Sequence, residues 1–539
     1  MSFFFDALTM VGPRPKKPIQ MPWRLEDVLS DMELCSISGA LVASTMSVNY
    51  EPMYANRQLC DWLKAHDHLF PVWNVMPAGT GEFPAPRELE KLLRQHNVRA
   101  VTICPVSNGW DWFGSAAQPL LRWLAQKKVL TILHHGEVQG DWPGLDQFLA
   151  GNRRLPVLLT GASWASQRFV IPLLEKYSNL HITFDSFQIN YGIEDLVARG
   201  LENQLLFGSN APVMSIGAQR AYIDYAAVPA KVRAKIAGGN LIRLLHGQRP
   251  PRERENKSED KIMAAARRGE PLPVPVIDFH MHILREGMQG GGGRNRMTNG
   301  GPKGTFAMLQ RFGCVGGGFM SWDAIVGCDS EGGNACVKEA LDAAPRGYWG
   351  LGTFNPTHFS QDEMRRQIRE LYQDRRFIGM KPYHTYGLTY DHPRYDCWWE
   401  YGNAHQLYAG IHRNRLDFSE VNTLAKKYPR VRWVVYHCGM RYDVADAAIE
   451  CMKQFPNVYA ELTYTSVTAG VIEYLVQHAG ADRVVYGSDL PMRDPRQQLG
   501  WVVYTKLPVA VKARLLAGNA LQIIKPNLPY LPPHNRPAI

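Results

Sequence analysis

The sequence contains no run of about 18 apolar residues, so no membrane-spanning helix is expected. It contains no Cys-x-x-Cys pair, and its nine cysteines are an odd number. A zinc ribbon and a fully paired disulfide framework are therefore both excluded, and reduced thiols in a cytoplasmic setting are expected. The opening Met1-Ser2-Phe3-Phe4-Phe5 meets Asp6 before a signal-peptide core is reached. Nucleic-acid-binding motifs are missing as well. The net charge of +10 comes from 60 basic and 50 acidic residues that are scattered along the chain. Small anionic molecules are the expected partners, rather than nucleic acid or a membrane.

What is present is an ordinary globular composition, 45% hydrophobic and 20% charged, in a chain of 539 residues that is too long for one domain. The chain also repeats itself. Gly208-Ser209-Asn210-Ala211-Pro212 recurs as Gly487-Ser488-Asp489-Leu490-Pro491. Pro229 and Asn240 follow Asn210 at the same steps by which Pro508 and Asn519 follow Asp489. Matching spacing over so long a stretch reads as a tandem duplication.

Within each copy, short apolar or β-branched runs alternate with amphipathic helical stretches, the pattern of βα units around a parallel sheet. The runs expected as strands in the first copy begin at Phe3–Asp6 and end at Leu205–Ser209. Those of the second begin at Val276–His280 and end at Val484–Ser488. Eight units in each copy of about 250 residues give the expected fold class, α/β with two tandem (β/α)8 barrels; an open doubly wound sheet is the alternative. The expected domains are a barrel over 1–247, a Pro-rich charged linker over 248–274 with a short helix near 261–269, and a second barrel over 275–539.

In such barrels catalytic residues gather at the C-terminal ends of the strands. The first strand of the second copy runs through Asp278-Phe279-His280-Met281-His282, and residues i and i+2 of a strand share a face. Two imidazoles can thus meet at one point, and neutral imidazole is the commonest metal ligand. The bland alternative is a metal-free pair at a strand end. Strand four leads to Lys381 and His384, strand five to His412 (with His405 as stand-in), strand six to His437, and strand eight to Asp489. The alternative for Asp489 is a helix cap, and for His412 a surface position.

The Asp-x-His-x-His entry, the His437-Cys438-Gly439 after strand six, the Gly-Ser-Asp-x-Pro of strand eight and the closing Gly518-Asn519-Ala520 resemble the amidohydrolase superfamily. The likeness is to the amidohydrolase-related branch that includes aminocarboxymuconate-semialdehyde decarboxylase and its hydrolase relatives, and it covers Pro275 to about Pro526. The resemblance implies one divalent metal, zinc first with manganese or iron as alternatives, on His280, His282, His412 and Asp489. It implies an acid/base or electrostatic role for His437, and a proton relay through Asp489. Lys381 meets a substrate carboxylate in this branch, whereas in two-metal members it is carbamylated. His384 is a candidate substrate contact. Arg294 and Arg296, in a glycine-dense loop after the first strand, are candidate anion clamps. Nitrogen and carboxylate ligands with room for water lower the water's pKa towards about 7 and so supply a nucleophile for a carbonyl.

The expected activity is a metal-dependent hydrolase acting on an amide, ester or lactone. The alternatives are a non-oxidative decarboxylase or hydratase of a carboxylated small molecule, and a non-catalytic scaffold. In the first copy Leu8 and Met10 replace the two histidines, Cys104 the lysine, Thr160 the strand-six histidine and Asn210 the aspartate; His134 remains. That set does not make a zinc site. The first barrel is therefore expected to be metal-free and silent, a partner in an intrachain pseudo-dimer of the kind that family homodimers imply, compatible with further homo-oligomerisation. A separate metal-free activity using His134 and Trp110 to Trp112 is the competing view.

Overall fold

The computed structural model describes residues 3–15, 20–246, 248–254, 256–285, 295–413, 416–538. The chain divides into two compact units, Met1–Gln188 with Ile193–Glu259, and Asp260–Ile539 with Ile189–Gly192. The stretch expected as linker is shared between them. Its end forms a helix, Lys261–Arg267, in the second unit. Asp260 caps this helix by accepting from the amides of Ile262 and Met263, and it also receives Lys512 Nζ at 2.7 Å. No helix among the described residues is long and apolar enough to cross a membrane.

Each unit is built on one all-parallel sheet whose strands follow one another in sequence order, with helices in the connections. The second unit has eight strands: Val276–Ile283, Cys314–Ser321, Tyr348–Gly352, Phe377–Met380, Tyr408–His412, Arg432–Tyr436, Val458–Glu461 and Val484–Val485. The first has seven, from Phe5–Val11 to Leu180–Ile182. The eighth strand expected at Leu205–Ser209 is not formed. That segment is held by a single bridge from Leu205 to Ile182 and by the Ala7 amide donating to the carbonyl of Phe207. It closes the ring without regular ladder pairing. Together the sheets are those of two tandem TIM-type barrels.

Ring closure uses the same device twice. In the second unit Asp278 Oδ1 accepts from the amides of His280 (3.2 Å) and Ser488 (3.0 Å), while the amide of Asp489 donates to the carbonyl of His280 at 2.7 Å. In the first, Asp6 Oδ1 accepts from the amides of Leu8 (3.1 Å) and Ser209 (2.9 Å), and the amide of Asn210 donates to the carbonyl of Leu8 at 3.1 Å. Ser209 Oγ also bonds Asp6 Oδ2. Asn210 and Asp489 both take left-handed backbone, φ 54° and 58°, and each precedes a residue joined to proline by a cis bond.

The cores differ in content. The first ring is filled by Phe5, Leu41, Phe70, Leu130, Ile132 and Leu158. The second packs Phe279, Trp349, Tyr408 and Tyr436 into its interior. Glycines on neighbouring strands make the room: a Cβ on Gly410 would stand 2.2 Å from the Tyr436 hydroxyl, and one on Gly379 2.8 Å from Tyr408. Large rings are thus accommodated by small residues across the ladder.

Burial pushes the Asp6 carboxyl up to about 7, outweighing its hydrogen bonds from Ser209 and Leu8. The unfolded carboxyl titrates near about 3.9. Between those values the folded chain holds a proton that the unfolded chain has lost. The stability from this group is therefore complete below about pH 4 and is lost as pH rises to about 7. Asp6→Asn keeps an acceptor for the two amides and removes the titration. In denaturant titrations of the first unit's transition from pH 4.5 to 7, the variant should lose up to roughly 1.4 kcal/mol per pH unit of downward slope. An unchanged slope would show that Asp6 does not carry it.

Candidate active site

The four histidines, the lysine and the aspartate read from strand ends in the second repeat come to one mouth. His280 and His282 project from the first strand and are fully buried. Their Nε2 atoms both approach Asp489 Oδ1, at 3.5 Å and 2.9 Å. The ligand atoms of His280, His282 and Asp489 all lie within 4.8 Å of one another. Arg493, four residues beyond Asp489, takes the second carboxylate oxygen and donates through Nε to Thr465 Oγ1 at 2.8 Å. One oxygen of Asp489 is thus left for the histidine side.

Glu461, at the end of the seventh strand, is a functional candidate that sequence reasoning missed. Its Oε2 lies 3.3 Å from His280 Nδ1 and accepts from the amide of His437, while Oε1 accepts from the amide of Thr463. His280, His437 and Glu461 also form a group of closely spaced ligand atoms. The Glu461 oxygens are already committed to these three donors, which favours the His280, His282, Asp489 group as the cation site. Nδ1 of His280 thus faces Glu461 while Nε2 faces Asp489; with Glu461 ionised, Nδ1 carries the hydrogen, the tautomer that a carboxylate behind a metal-binding histidine fixes. An acidic residue at the end of the otherwise apolar run Val458-Tyr459-Ala460 was the available signal. In the first repeat Thr183 stands there: a Cβ on Gly487 would meet Glu461, and one on Gly208 would meet Thr183.

His412 ends the fifth strand as expected and stands beside His437, with ring centroids 4.7 Å apart, and 5.0 Å from His384. It lies outside the tight group of three. His437 is held in left-handed backbone at φ 74°. Its Nδ1 faces the carbonyl of Thr463 at 2.8 Å, which can only accept, so Nδ1 carries the hydrogen and Nε2 is left free in the neutral ring. His384 is exposed at the rim against Tyr383. His405, the stand-in for His412, caps a helix and stacks on Tyr401. Arg296 is half-buried and engaged with neighbours; Arg294 lies outside the described residues.

Lys381 is fully buried, with Nζ 4.1 Å from the centre of the Tyr436 ring and no hydrogen-bond partner among the described residues. His280 stacks on the same ring at 3.7 Å. Desolvation drives the site's titration. It lowers His280, His282, His412 and His437 well below the ordinary imidazole value, helped by the charges of Lys381 or Arg493, and it lowers Lys381 too. Burial pushes Glu461 up to about 8 and Arg493 down to about 10.

Whether a divalent cation fits is decided by these groups. Buried, neutral imidazoles present lone pairs, and His282 Nδ1 is buried without a hydrogen-bond partner among the described residues. One carboxylate oxygen faces two of them, and a second carboxylate orients the first histidine. This nitrogen and oxygen set suits zinc, manganese or iron.

In the first repeat the amide of Met10 donates to the carbonyl of Ala211 as that of His282 does to Leu490, so Leu8 and Met10 do occupy the histidine positions. A cavity of about 410 Å³ opens there, lined by Leu8, Met10, His134, Thr160 and Asn210 among others. Trp112, offered as an asset of that mouth, instead stacks on Phe148 at 5.0 Å in the core.

A model of the amidohydrolase family matches residues 38–247 and again 277–525. No curated protein matches the chain. Solved structures similar to it include 5-carboxyvanillate decarboxylase from Sphingomonas paucimobilis (12% identity, 46% of this chain and 99% of that one, TM-score 0.37). Others are a probable 2-pyrone-4,6-dicarboxylic acid hydrolase from Acinetobacter baumannii (12%, 45% and 98%, 0.33) and an uncharacterized TIM-barrel protein from Bordetella bronchiseptica (17%, 41% and 82%, 0.34). Matched once in each repeat and over most of its length, the chain belongs to the amidohydrolase family.

Proposed function

We propose that the second repeat is a metal-dependent hydrolase acting on an amide, ester or lactone carbonyl of a small carboxylate-bearing molecule. The observation that carries this reading is the convergence of His280, His282 and one oxygen of Asp489 on a dry point beside a neutral His437. His280, His282 and Asp489 would hold the cation, with His412 as the fourth candidate. A divalent metal there supplies a Lewis acid and makes water acidic enough to act as nucleophile near pH 7.

The chain's own residues do the rest. Arg493 occupies the outer oxygen of Asp489, which leaves the inner oxygen to bind the cation or accept a proton. His437 is anchored through Nδ1 on Thr463, which leaves Nε2 to hand a proton to a leaving group or to polarise the carbonyl. Arg493 supplies a cationic group and Lys381 a buried amine where a substrate carboxylate would meet them, beside Arg294 and Arg296 as candidate clamps. His384 contacts substrate at the rim.

A second reading, non-oxidative decarboxylation, draws support from Lys381. A carboxylate drawn against a buried, solvent-free amine loses its hydration, which favours departure of carbon dioxide. Release of carbon dioxide from a turned-over carboxylic acid, without incorporation of oxygen-18 from labelled water into product, would replace the hydrolase reading with this one. Incorporation without carbon dioxide supports hydrolysis.

The first repeat is proposed to be metal-free, so purified protein should carry one metal ion per chain by elemental analysis rather than two. His280→Ala should lose it. Glu461→Gln, which loosens the His280 tautomer, should weaken metal affinity by about 10–100-fold. His437→Asn should retain the metal and lower turnover by roughly 10²–10⁴-fold. Loss of metal in His437→Asn, or normal affinity in Glu461→Gln, would reverse the roles assigned to these two residues.

A further inference from the structure

The mouth of the first repeat lost its metal-ligating side chains but kept a cavity. Its volume of about 410 Å³ lies in the range of small-molecule sites. Leu8, Met10, Ile103, Ile132 and Val213 make its walls largely apolar. Among the lining polar groups, most are already engaged. Glu137 accepts from the amides of Val106 and Ser107 and from Ser107 Oγ, and Thr45 Oγ1 donates to the carbonyl of Pro13. Asn210 faces Asp185.

Three lining groups are different. Arg14 Nε and Nη2, Ser44 Oγ and Thr160 Oγ1 are buried with no hydrogen-bond partner among the described residues. Nε–H and Nη2–H form one edge of the guanidinium, the edge that takes both oxygens of a carboxylate side-on. A buried cationic fork left unsatisfied costs free energy in the empty cavity, and an anion would recover it. His134 adds a donor at the same mouth: its Nδ1 accepts from the amide of Gly136, so the neutral ring carries its hydrogen on Nε2.

We propose that the first repeat is a metal-free binding site for a small, largely apolar monocarboxylate. Its carboxylate sits on the Nε/Nη2 edge of Arg14, within reach of Ser44 and Thr160, and its body lies among Leu8, Met10, Ile103, Ile132 and Val213. Among the described lining residues Arg14 is the one guanidinium, and Glu137 spends its oxygens on Val106 and Ser107; this matches at most a single negative charge on a small apolar frame, not a polyanion. Although burial lowers Arg14 to about 10, it remains charged at neutral pH. The site makes no use of the second repeat's chemistry, and so does not stand or fall with the hydrolase reading.

The test uses the full-length chain labelled at its methionine methyl groups and stripped of metal, titrated with benzoate and with cyclohexanecarboxylate. Benzamide serves as the uncharged control, and the Met10 signal is assigned with Met10→Leu. Saturable perturbation of Met10 by at least one carboxylate is expected, with benzamide about tenfold weaker or worse and Arg14→Gln about tenfold weaker or worse. The benzamide comparison needs no variant to fold. The proposal is overturned if neither carboxylate moves Met10, if only methionines of the second repeat respond, or if benzamide or Arg14→Gln binding equals that of benzoate to the unaltered chain.

Discussion

In each repeat a buried aspartate on the first strand takes the backbone of the ring's last segment, and the mouth of the barrel is registered against that joint. In the second repeat Asp278 holds the amides of His280 and Ser488, two residues on from itself and one before Asp489. That grip, with the Asp489 amide on the carbonyl of His280, brings the Asp489 carboxylate against two imidazoles that are 207 and 209 positions earlier in the chain (489 minus 282 and 280). The left-handed backbone at Asp489 is a conformation few side-chain-bearing residues adopt without support, and the joint provides the support. The same joint persists at Asp6 and Ser209, with Leu8, Met10 and Asn210 standing where the second repeat has His280, His282 and Asp489.

Above the joint, the decisive physical fact is dehydration. Four histidines and a lysine share a site closed by Tyr436, Trp322 and Tyr464, and removing water from cations makes the neutral forms prevail. A cluster of neutral nitrogens around one carboxylate oxygen is an arrangement of donors that a divalent cation would complete. Glu461 and Arg493 then act from opposite sides: one orients His280, and the other holds the outer oxygen of Asp489.

The fold was legible because duplication doubled every weak signal, and the convergence of His280, His282, His412, His437 and Asp489 at one mouth was legible because histidines at strand ends interrupt apolar runs. Glu461 was overlooked because its run continues into Leu462 and Thr463, so that the acid reads as one polar residue inside a strand rather than as its end. Arg493 could not be read from spacing, since its reach to Asp489 depends on the turn through Leu490-Pro491. The eighth run of the first repeat has strand-like residues, yet only Leu205 forms a bridge, and the rest of the segment is held by the Asp6 joint that the second repeat also has. That the guanidinium edge of Arg14 has no hydrogen-bond partner among the described residues is a three-dimensional fact, carried by Pro13-Arg14-Pro15, where no periodicity exists to announce it.

The two repeats therefore share a scaffold and differ in what stands on it, one mouth furnished with nitrogen donors and the other with an apolar cavity and a single cationic fork. The difference is most directly settled by anomalous diffraction from crystals of the metal-loaded chain. The account predicts one strong anomalous peak per chain, bounded by His280, His282 and Asp489 with His412 as the remaining neighbour, and none between Leu8, Met10 and Asn210. A peak in the first repeat, or fully loaded crystals with no peak at His280 and His282, would contradict it.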